Sequence, residues 1–279
     1  MRKAVTIVLS FLLVGTFFVG ASLAGDTLAD VKAKGVLVAG IKDSLPPFGY
    51  VDQKTRTIVG YDIDFVNAIA KKIGVKVELK PVTSATRMPQ LMEGNIDIIA
   101  ATMTKNSERA KQIDFSYTYF FTGQKFLTKK GTANSLKDLD GKKIGTAKGS
   151  TSEQNAKRAL PKSTILSFDD YPQAVLALQQ GKVAAVTTDE SILAGQLAKL
   201  PKGEYEIPAT RISDEPYGLG VRKGDTNFLK VVNETLLEME KSGEAKAIFE
   251  KWLGRTPARR SCVTSRSSRT SGGWNRQGG

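Results

Sequence analysis

Short runs of β-branched and apolar residues alternate with amphipathic helical segments along most of this chain, and this alternation constrains its fold more than any other feature. Val36–Ile41 is typical of a strand, and Asp62–Ile73 is typical of a helix because its apolar residues recur at helical spacing. The predicted strands Lys76–Leu79 and Ile96–Ala101, with a helix over Arg87–Glu93 between them, complete one β-α-β-α-β unit. Such alternation indicates an α/β fold with largely parallel sheets.

A second series of the same kind begins after Gly131. Its strands and helices are predicted, in chain order, over Lys143–Thr146, Ser152–Leu160, Thr164–Phe168, Tyr171–Gln179, Val183–Thr187 and Asp189–Leu200. A last strand, Tyr217–Val221, and helices between Thr226 and Leu253 are too short for a third domain, but they suit completion of the first. We therefore predict two α/β lobes.

If the chain returns to its first lobe in this way, it crosses between the lobes twice. We predict crossovers of the kind that form a hinge at residues 124–128 and 216–220. The first lobe then comprises residues 25–123 and 221–254, and the second lobe comprises residues 129–215.

Two residue counts exclude most familiar enzyme chemistry. The chain has no histidine, and its single cysteine is Cys262. Ser-His-Asp and Cys-His catalysis are therefore excluded, as are zinc sites built from histidine or from paired thiolates. We expect no catalytic residue, no bound metal and no cofactor.

The net charge of +13 suggests nucleic-acid binding until its distribution is considered. Arg2 and Lys3 belong to an N-terminal leader, and six arginines lie in the last 25 residues, which leaves +5 for the body of the chain. That value is ordinary for a basic protein, and we expect no nucleic-acid partner.

The first 24 residues are typical of a secretory signal peptide. Arg2 and Lys3 precede a mostly apolar, uncharged stretch at residues 4–19, and Ser22-Leu23-Ala24 places small residues where a signal peptidase reads them. The apolar stretch is shorter than the roughly 20 residues that cross a bilayer. We predict cleavage after Ala24 and export of the mature chain to the periplasm.

Residues 255–279 differ sharply in composition from the rest of the chain, because arginine, serine and glycine dominate them. We predict that this tail is disordered. It is either a basic arm for polyanions or membrane surfaces, or a non-native extension. We favour the extension because the folded pattern finishes at Lys251–Gly254.

Charged and polar side chains follow several predicted strands of the first lobe at their carboxyl ends, where open α/β sheets bind ligands. Arg109, presented with the hydroxyls of Thr102 and Thr104, could clamp a carboxylate through two parallel hydrogen bonds. Lys42 and Arg87 follow the first two strands and would suit a second carboxylate. Taken singly, each of these cations is equally compatible with a solvated surface position.

The second lobe offers two complementary features. Ser150 and Glu153 fit a capping box at a helix start, and such a start also directs free N–H groups towards an anion. Asp189, at the end of the third strand of this lobe, could accept a hydrogen bond from an ammonium group or cap the following helix.

Together these segments resemble the periplasmic solute-binding proteins of polar amino acid ABC transporters, and specifically their glutamate/aspartate-type branch. The resemblance runs from about Leu28 to Gly254 and implies two lobes that close on an amino acid. The stretches that carry it are Ser44–Phe48, Val59–Asp64, Thr83–Pro89, Thr102–Arg109, Ile113–Ser116, Gly149–Glu153, Thr188–Asp189 and Glu215–Gly218.

The resemblance implies that Arg109 binds the α-carboxylate and that Asp189 accepts from the ammonium group. The resemblance also implies that four hydroxyl-bearing residues help Arg109 to bind the carboxylate: Thr102, Thr104, Ser150 and Thr151. The remaining ligand-binding positions that it implies are Lys42, Ser84, Arg87 and Tyr171. Ser84 and Arg87 match positions that face the ligand side chain in acidic-amino-acid binders. Lys42 stands where such relatives carry arginine, and Tyr171 where some carry histidine.

The expected function is capture of a polar, acidic amino acid, glutamate or aspartate, by a monomeric binding protein that delivers it to the permease subunits of an ABC transporter. Three alternatives remain open. The chain could bind glutamine or another polar amino acid, it could be a cyclohexadienyl dehydratase-like enzyme with Glu153 as general acid, or it could be a sensory ligand-binding domain.

Overall fold

The computed structural model describes residues 26–254, and these residues form the predicted alternation of strands and helices. The first part of the chain contains α1 (Thr27–Lys34), β1 (Val36–Ile41), β2 (Ser44–Leu45), β3 (Gly49–Val51), β4 (Ile58–Val59), α2 (Tyr61–Ile73), β5 (Lys76–Pro81), α3 (Arg87–Met92), β6 (Ile98–Ala100) and α4 (Ser107–Ala110). The predicted signal peptide, residues 1–24, and the tail, residues 255–279, lie outside the described residues.

A long strand, β7 (Ile113–Lys129), leads into the second part of the chain. There follow a 3-10 turn at Leu136–Leu139, β8 (Lys143–Ala147), α5 (Thr151–Ala159), β9 (Thr164–Phe168), α6 (Tyr171–Gln179), β10 (Ala185–Asp189), α7 (Glu190–Leu197) and β11 (Tyr205–Glu206). The return consists of β12 (Ser213–Arg222), α8 (Thr226–Ser242) and α9 (Glu244–Leu253).

Nine of these strands form one mixed sheet in the order β5-β1-β6-β12-β7-β10-β8-β9, with β11 paired to the end of β7. The outer strands of each lobe are parallel, as predicted: β1 pairs with β5 and β6, and β8 pairs with β9 and β10. The central pairs of β12 with β6 and β7, and of β7 with β10, are antiparallel. The two-lobed α/β fold is thereby confirmed, although the strands of both lobes belong to one sheet.

The two strands that connect the lobes pair with each other along much of their length. Gln124 of β7 lies opposite Ser213 of β12 and also opposite Asp189 of β10, so β7 passes from one lobe to the other near this residue. Residues 124–128 pair with β10, whereas Pro216 and Tyr217 pair with β7 residues upstream of that point. Motion about residues 124–128 and 216–220 stays a prediction.

Apolar side chains cover both faces of the sheet in each lobe. In the first lobe, α2 and α8 pack on one face with Phe65 and Phe228, and α3 packs on the other with Leu91. In the second lobe, Leu178 of α6 and Leu193 of α7 share one cluster. Burial of each such side chain contributes roughly 1.5–3 kcal/mol. None of the helices in residues 26–254 is long and apolar enough to cross a bilayer.

Candidate ligand-binding site

All ten predicted site residues are buried, and contacts between them connect the two lobes. Each exposes 9% of its surface or less: Lys42, Ser84, Arg87, Thr102, Thr104, Arg109, Ser150, Thr151, Tyr171 and Asp189. Buried polar and charged groups are costly without partners, so this concentration marks a polar site in the interior. Within residues 26–254, no group of three or more acidic or cysteine side chains is arranged to hold a metal ion.

Arg109 lies in the short helix α4 and reaches across the lobe boundary. The side chain of Asn106 caps α4 by accepting from the Arg109 amide at 2.8 Å. The guanidinium Nη1 donates to the Thr104 carbonyl at 2.8 Å, and Nη2 donates to the Gly149 carbonyl of the second lobe at 3.3 Å. Burial lowers the pKa of Arg109, an effect that Glu215 and Asp189 oppose. The group is therefore a partly desolvated cation held at the junction of the lobes.

Asp189 ends β10 and occupies the N-cap position of α7, yet its side chain makes no capping hydrogen bond. Its Oδ2 instead accepts from the hydroxyl of Tyr217, and its buried Oδ1 has no partner among the described residues. Burial and nearby Glu215 raise its pKa from 3.8 to about 7, against the effects of Tyr217, Arg87 and Arg109. One oxygen of this carboxylate is thus left for a donor other than the helix.

Lys42, Ser84 and Arg87 form a second cationic group in the first lobe. Lys42 Nζ donates to the Val82 carbonyl at 3.1 Å and to Ser84 Oγ at 3.3 Å. Burial and the nearby Arg87 lower the pKa of Lys42 from 10.5 to about 7. Burial, followed by Arg109, lowers that of Arg87 to about 9. These cations oppose one another, and an anion placed among them would relieve that repulsion.

Arg87 is anchored to the backbone around an unusual residue. Its Nη1 donates to the carbonyls of Ala101 and Thr102, the latter at 3.2 Å, and its Nε is buried with no partner in the described part of the chain. Thr102 has φ of 49°, in the left-handed region that threonine rarely adopts. Its amide donates at 3.0 Å to Asp62, which also accepts from the Tyr119 hydroxyl at 2.7 Å.

Asp62 is a site-supporting residue that the motif analysis did not single out. It is fully buried, and burial raises its pKa from 3.8 to about 6. A signal was present, because Asp62 lies on the same side of α2 as the buried Val66 and Ile69. A carboxylate on the apolar side of a helix indicates a specific partner, here the Thr102 amide.

The start of α5 brings second-lobe hydroxyls to the site. Ser150 Oγ accepts from the Glu153 amide at 3.1 Å, as the predicted cap requires, but the Glu153 carboxylate accepts from Gly149 N rather than from Ser150 N. Thr151 Oγ1 donates to Glu215 at 2.8 Å and lies 3.5 Å from Thr104 Oγ1 of the first lobe. Glu215 is fully buried and also accepts a hydrogen bond from Asn155, and it is a second residue to which the motif analysis assigned no role in the site.

Close contacts between the lobes surround these side chains. Ser44 Oγ of the first lobe donates to Asp170 Oδ2 of the second at 2.6 Å. Within the second lobe, the Tyr171 hydroxyl donates to Ser152 Oγ at 3.3 Å. Gly149 has φ of 74°, and a Cβ on it would lie 2.8 Å from Cα of Ala85, so only glycine suits both its conformation and this approach. The structure is therefore closed around the site.

A buried polar site between two closed α/β lobes defines a two-lobed binding protein. Residues 37–255 match the bacterial extracellular solute-binding proteins, family 3, and the chain belongs to this family. Membership of this family places its function outside the cytoplasm.

Two curated relatives show the range of ligands among similar proteins. The ABC transporter glutamine-binding protein GlnH of Bacillus subtilis (strain 168) is 40% identical over 238 residues, which cover 84% of this chain and 86% of that protein. A glutamate/aspartate import solute-binding protein of Salmonella typhimurium is 36% identical over 250 residues, covering 84% and 82%. Similarity therefore does not single out the glutamate/aspartate branch that the motifs predict.

Solved structures agree on the fold. An ancestral arginine-binding protein bound to glutamine is 43% identical, with a TM-score of 0.76, and the match covers 79% of this chain and 99% of that one. AncCDT-1, an ancestral amino acid-binding protein and precursor of cyclohexadienyl dehydratase, is 35% identical with a TM-score of 0.73, and the match covers 82% and 99%.

Proposed function

We propose that this chain is the periplasmic binding component of an ABC transporter and that it captures a polar amino acid as a monomer. The observation that carries the proposal is that Arg109, from the first lobe, and Asp189, from the second, are both buried and influence each other's ionisation. The family and the names of the two relatives support it. Export by the predicted signal peptide would place the protein where such a component works.

The proposed binding mode uses the two ends of the amino acid. The α-carboxylate accepts from the guanidinium of Arg109, and the ammonium group donates to the free Oδ1 of Asp189. Because these groups belong to different lobes, the ligand interacts best with the closed arrangement and shifts the population towards it. The closed form is then the one that the permease subunits recognise. No bond is made or broken in this process.

The charges favour an acidic side chain. Lys42 and Arg87 are both buried, and Asp62, a buried carboxylate that both cations influence, already accepts two hydrogen bonds. A glutamate or aspartate would bring a second carboxylate to these cations. Glutamine is the second candidate, supported by the glutamine-binding relative, because an amide oxygen can accept from the same donors without adding charge.

We further propose that the chain is not an enzyme, although one structural neighbour is a dehydratase precursor. The dehydratase alternative requires a general acid, for which Glu153 is the candidate. Partial burial favours the neutral form of Glu153, but hydrogen bonds from Lys157, Gly149 and Ser167 outweigh this effect and lower its pKa. A carboxylate that is held ionised is a poor proton donor.

The test is calorimetric titration with glutamate, aspartate, glutamine, asparagine, arginine and cystine, together with an assay for prephenate and arogenate turnover. We expect glutamate and aspartate to bind most tightly. We expect no turnover of prephenate or arogenate. Arg109→Ala should weaken binding of every ligand by about 100-fold or more, since it removes charge-assisted bonds of roughly 2–5 kcal/mol. Arg87→Ala should change the ranking of the ligands.

Arg158→Ala, at an exposed arginine of α5, is the matched control and should leave every affinity unchanged. Intact binding by the Arg109→Ala variant would refute the proposed site. A preference for arginine would refute the roles of Lys42 and Arg87.

A further inference from the structure

We infer that Tyr217 is a positioning residue for the ammonium acceptor: its hydroxyl holds one oxygen of Asp189 so that the other faces the amino acid. This inference rests on the proposed function. Neither the motifs nor the resemblance assigned Tyr217 a role.

Tyr217 is held rigidly in the strand that connects the lobes. It is fully buried in β12, and its ring packs edge-on against Phe48 and at a tilt to Phe120, with centroid separations of 5.5 and 5.4 Å. Its backbone forms a β-bridge with Thr104, and the next amide, Gly218 N, donates to the Met103 carbonyl at 3.0 Å. The phenol therefore has little freedom to turn away.

The hydroxyl of this fixed ring determines how Asp189 can be used. It donates to Asp189 Oδ2, while Oδ1 is buried, has no partner in residues 26–254 and is not used to cap α7. The backbone of Tyr217 also forms a β-bridge with Thr104, whose carbonyl oxygen accepts a hydrogen bond from Arg109. One residue thus sets the separation between the groups proposed to bind the two ends of the ligand.

The same hydrogen bond affects the charge on Asp189. The titratable and charged groups that face this carboxylate are Glu215, Tyr171, Tyr217, Arg87 and Arg109. The adjoining Lys125 and Glu190 pair with each other at 3.1 Å. Burial and Glu215 favour the neutral acid, whereas Tyr217 and the two arginines favour the carboxylate. Loss of the hydroxyl should therefore raise the pH at which Asp189 ionises and becomes able to accept from an ammonium group.

The experiment compares wild type, Tyr217→Phe and Tyr61→Phe by calorimetric titration with L-glutamine, whose side chain carries no charge, between about pH 6 and about pH 8.5. Wild-type affinity should rise with pH and level off above about pH 7, where Asp189 is ionised. Tyr217→Phe should bind L-glutamine about ten-fold more weakly than wild type at neutral pH. The rise of its affinity with pH should occur at higher pH, so the difference from wild type should become smaller at the alkaline end of the range.

Tyr61→Phe is the matched control, because it removes a buried hydroxyl of the same aromatic cluster that donates to the Tyr119 carbonyl. It should keep the wild-type pH profile. Replacement of Tyr217 by 3-fluorotyrosine, which keeps the hydroxyl and strengthens its donation, should move the rise to lower pH.

Equal weakening at every pH, or no change, would overturn the inference. A further loss from Tyr217→Phe in the Asp189→Ala background would do the same, because a residue that acts through the Asp189 carboxylate has no effect once that group is removed. A wild-type protein that binds none of the tested amino acids would instead refute the proposed function.

Discussion

Lys42 is a buried basic group of the site, and its pKa lies far below the ordinary value of a lysine. Burial and the nearby Arg87 bring its pKa down to about 7 in the closed arrangement, so it is largely neutral there at mildly alkaline pH when no ligand carboxylate lies beside it. A ligand carboxylate beside it would favour the charged form and raise the pKa again. An uncharged amide would not, so proton uptake distinguishes the two candidate ligands.

We therefore expect the protein to take up more protons when it binds glutamate than when it binds glutamine at about pH 8, by up to about one proton per chain. The measurement is the dependence of the calorimetric enthalpy on the ionisation enthalpy of the buffer. Proton release from Asp189 is common to both ligands and cancels in the difference. As pH rises above about 7, affinity for glutamate should fall relative to that for glutamine.

Lys42→Met is the control for this measurement, since it keeps an extended apolar side chain and removes the titrating group. The difference between the two ligands should vanish in this variant. An equal proton count for both ligands in wild type would show that Lys42 does not face the ligand side chain.

At the scale of single elements, α7 makes an unusually close contact with the other lobe. Gly195 lies inside this helix, and a Cβ built on it would lie 1.9 Å from the carbonyl oxygen of Pro46, in the turn between β2 and β3. The obstructing atom is backbone and has little room to move. Glycine within a helix otherwise costs roughly 0.5–1 kcal/mol relative to alanine, so closure explains why it is tolerated here.

Gly195→Ala should weaken binding of all amino acid ligands by about ten-fold or more, because the added methyl group obstructs the closed state. In the absence of ligand, thermal unfolding should occur at the same or a higher temperature, because alanine favours the helix and the lobes can separate. Titration and calorimetric melting on the same preparation test both parts. Unchanged affinity would mean that closure does not need this contact.

Most elements followed from local pattern, because strands and amphipathic helices differ in apolar spacing. Val36–Ile41, Thr164–Phe168 and Tyr171–Gln179 have the predicted bounds. The length of β7 and the short strands β2 to β4 could not be predicted, since they are defined by pairing with distant partners.

The same division applies to the site. Charged and polar residues that follow strands were recognisable in the sequence, and all ten predicted site residues are buried. Tyr217 and Glu215 act through partners 28 and 64 residues away, which no local spacing reveals.

At the scale of the whole molecule, the described residues contain the whole of the proposed ligand-binding site. The mixed sheet, the apolar clusters and all candidate site residues lie within residues 26–254, and the family match ends at residue 255. The arginine-rich tail therefore has no assigned task in ligand binding.

We expect a chain ending at Gly254 to bind amino acids with unchanged affinity and to unfold at an unchanged temperature, because it keeps every core and candidate site residue of the described range 26–254. Titration and thermal melting of both lengths provide the comparison. Binding of anionic vesicles or DNA by the longer chain alone would favour the basic-arm interpretation of the tail. Weaker amino acid binding by the shorter chain would contradict the prediction.

The ladder of β7 and β12 extends from one lobe to the other, from the pair Ile113–Arg222 to the pair Gln124–Ser213, with irregularities on either side of Gly218. If the lobes separate as proposed, rotation at a single residue would break several neighbouring backbone hydrogen bonds between β7 and β12. We expect the opening movement to be distributed along β7 and β12 as small changes in strand twist. The twisted strands then favour a return to the closed arrangement. The width of the open cleft is then determined by the stiffness of these two paired strands as well as by the bound amino acid.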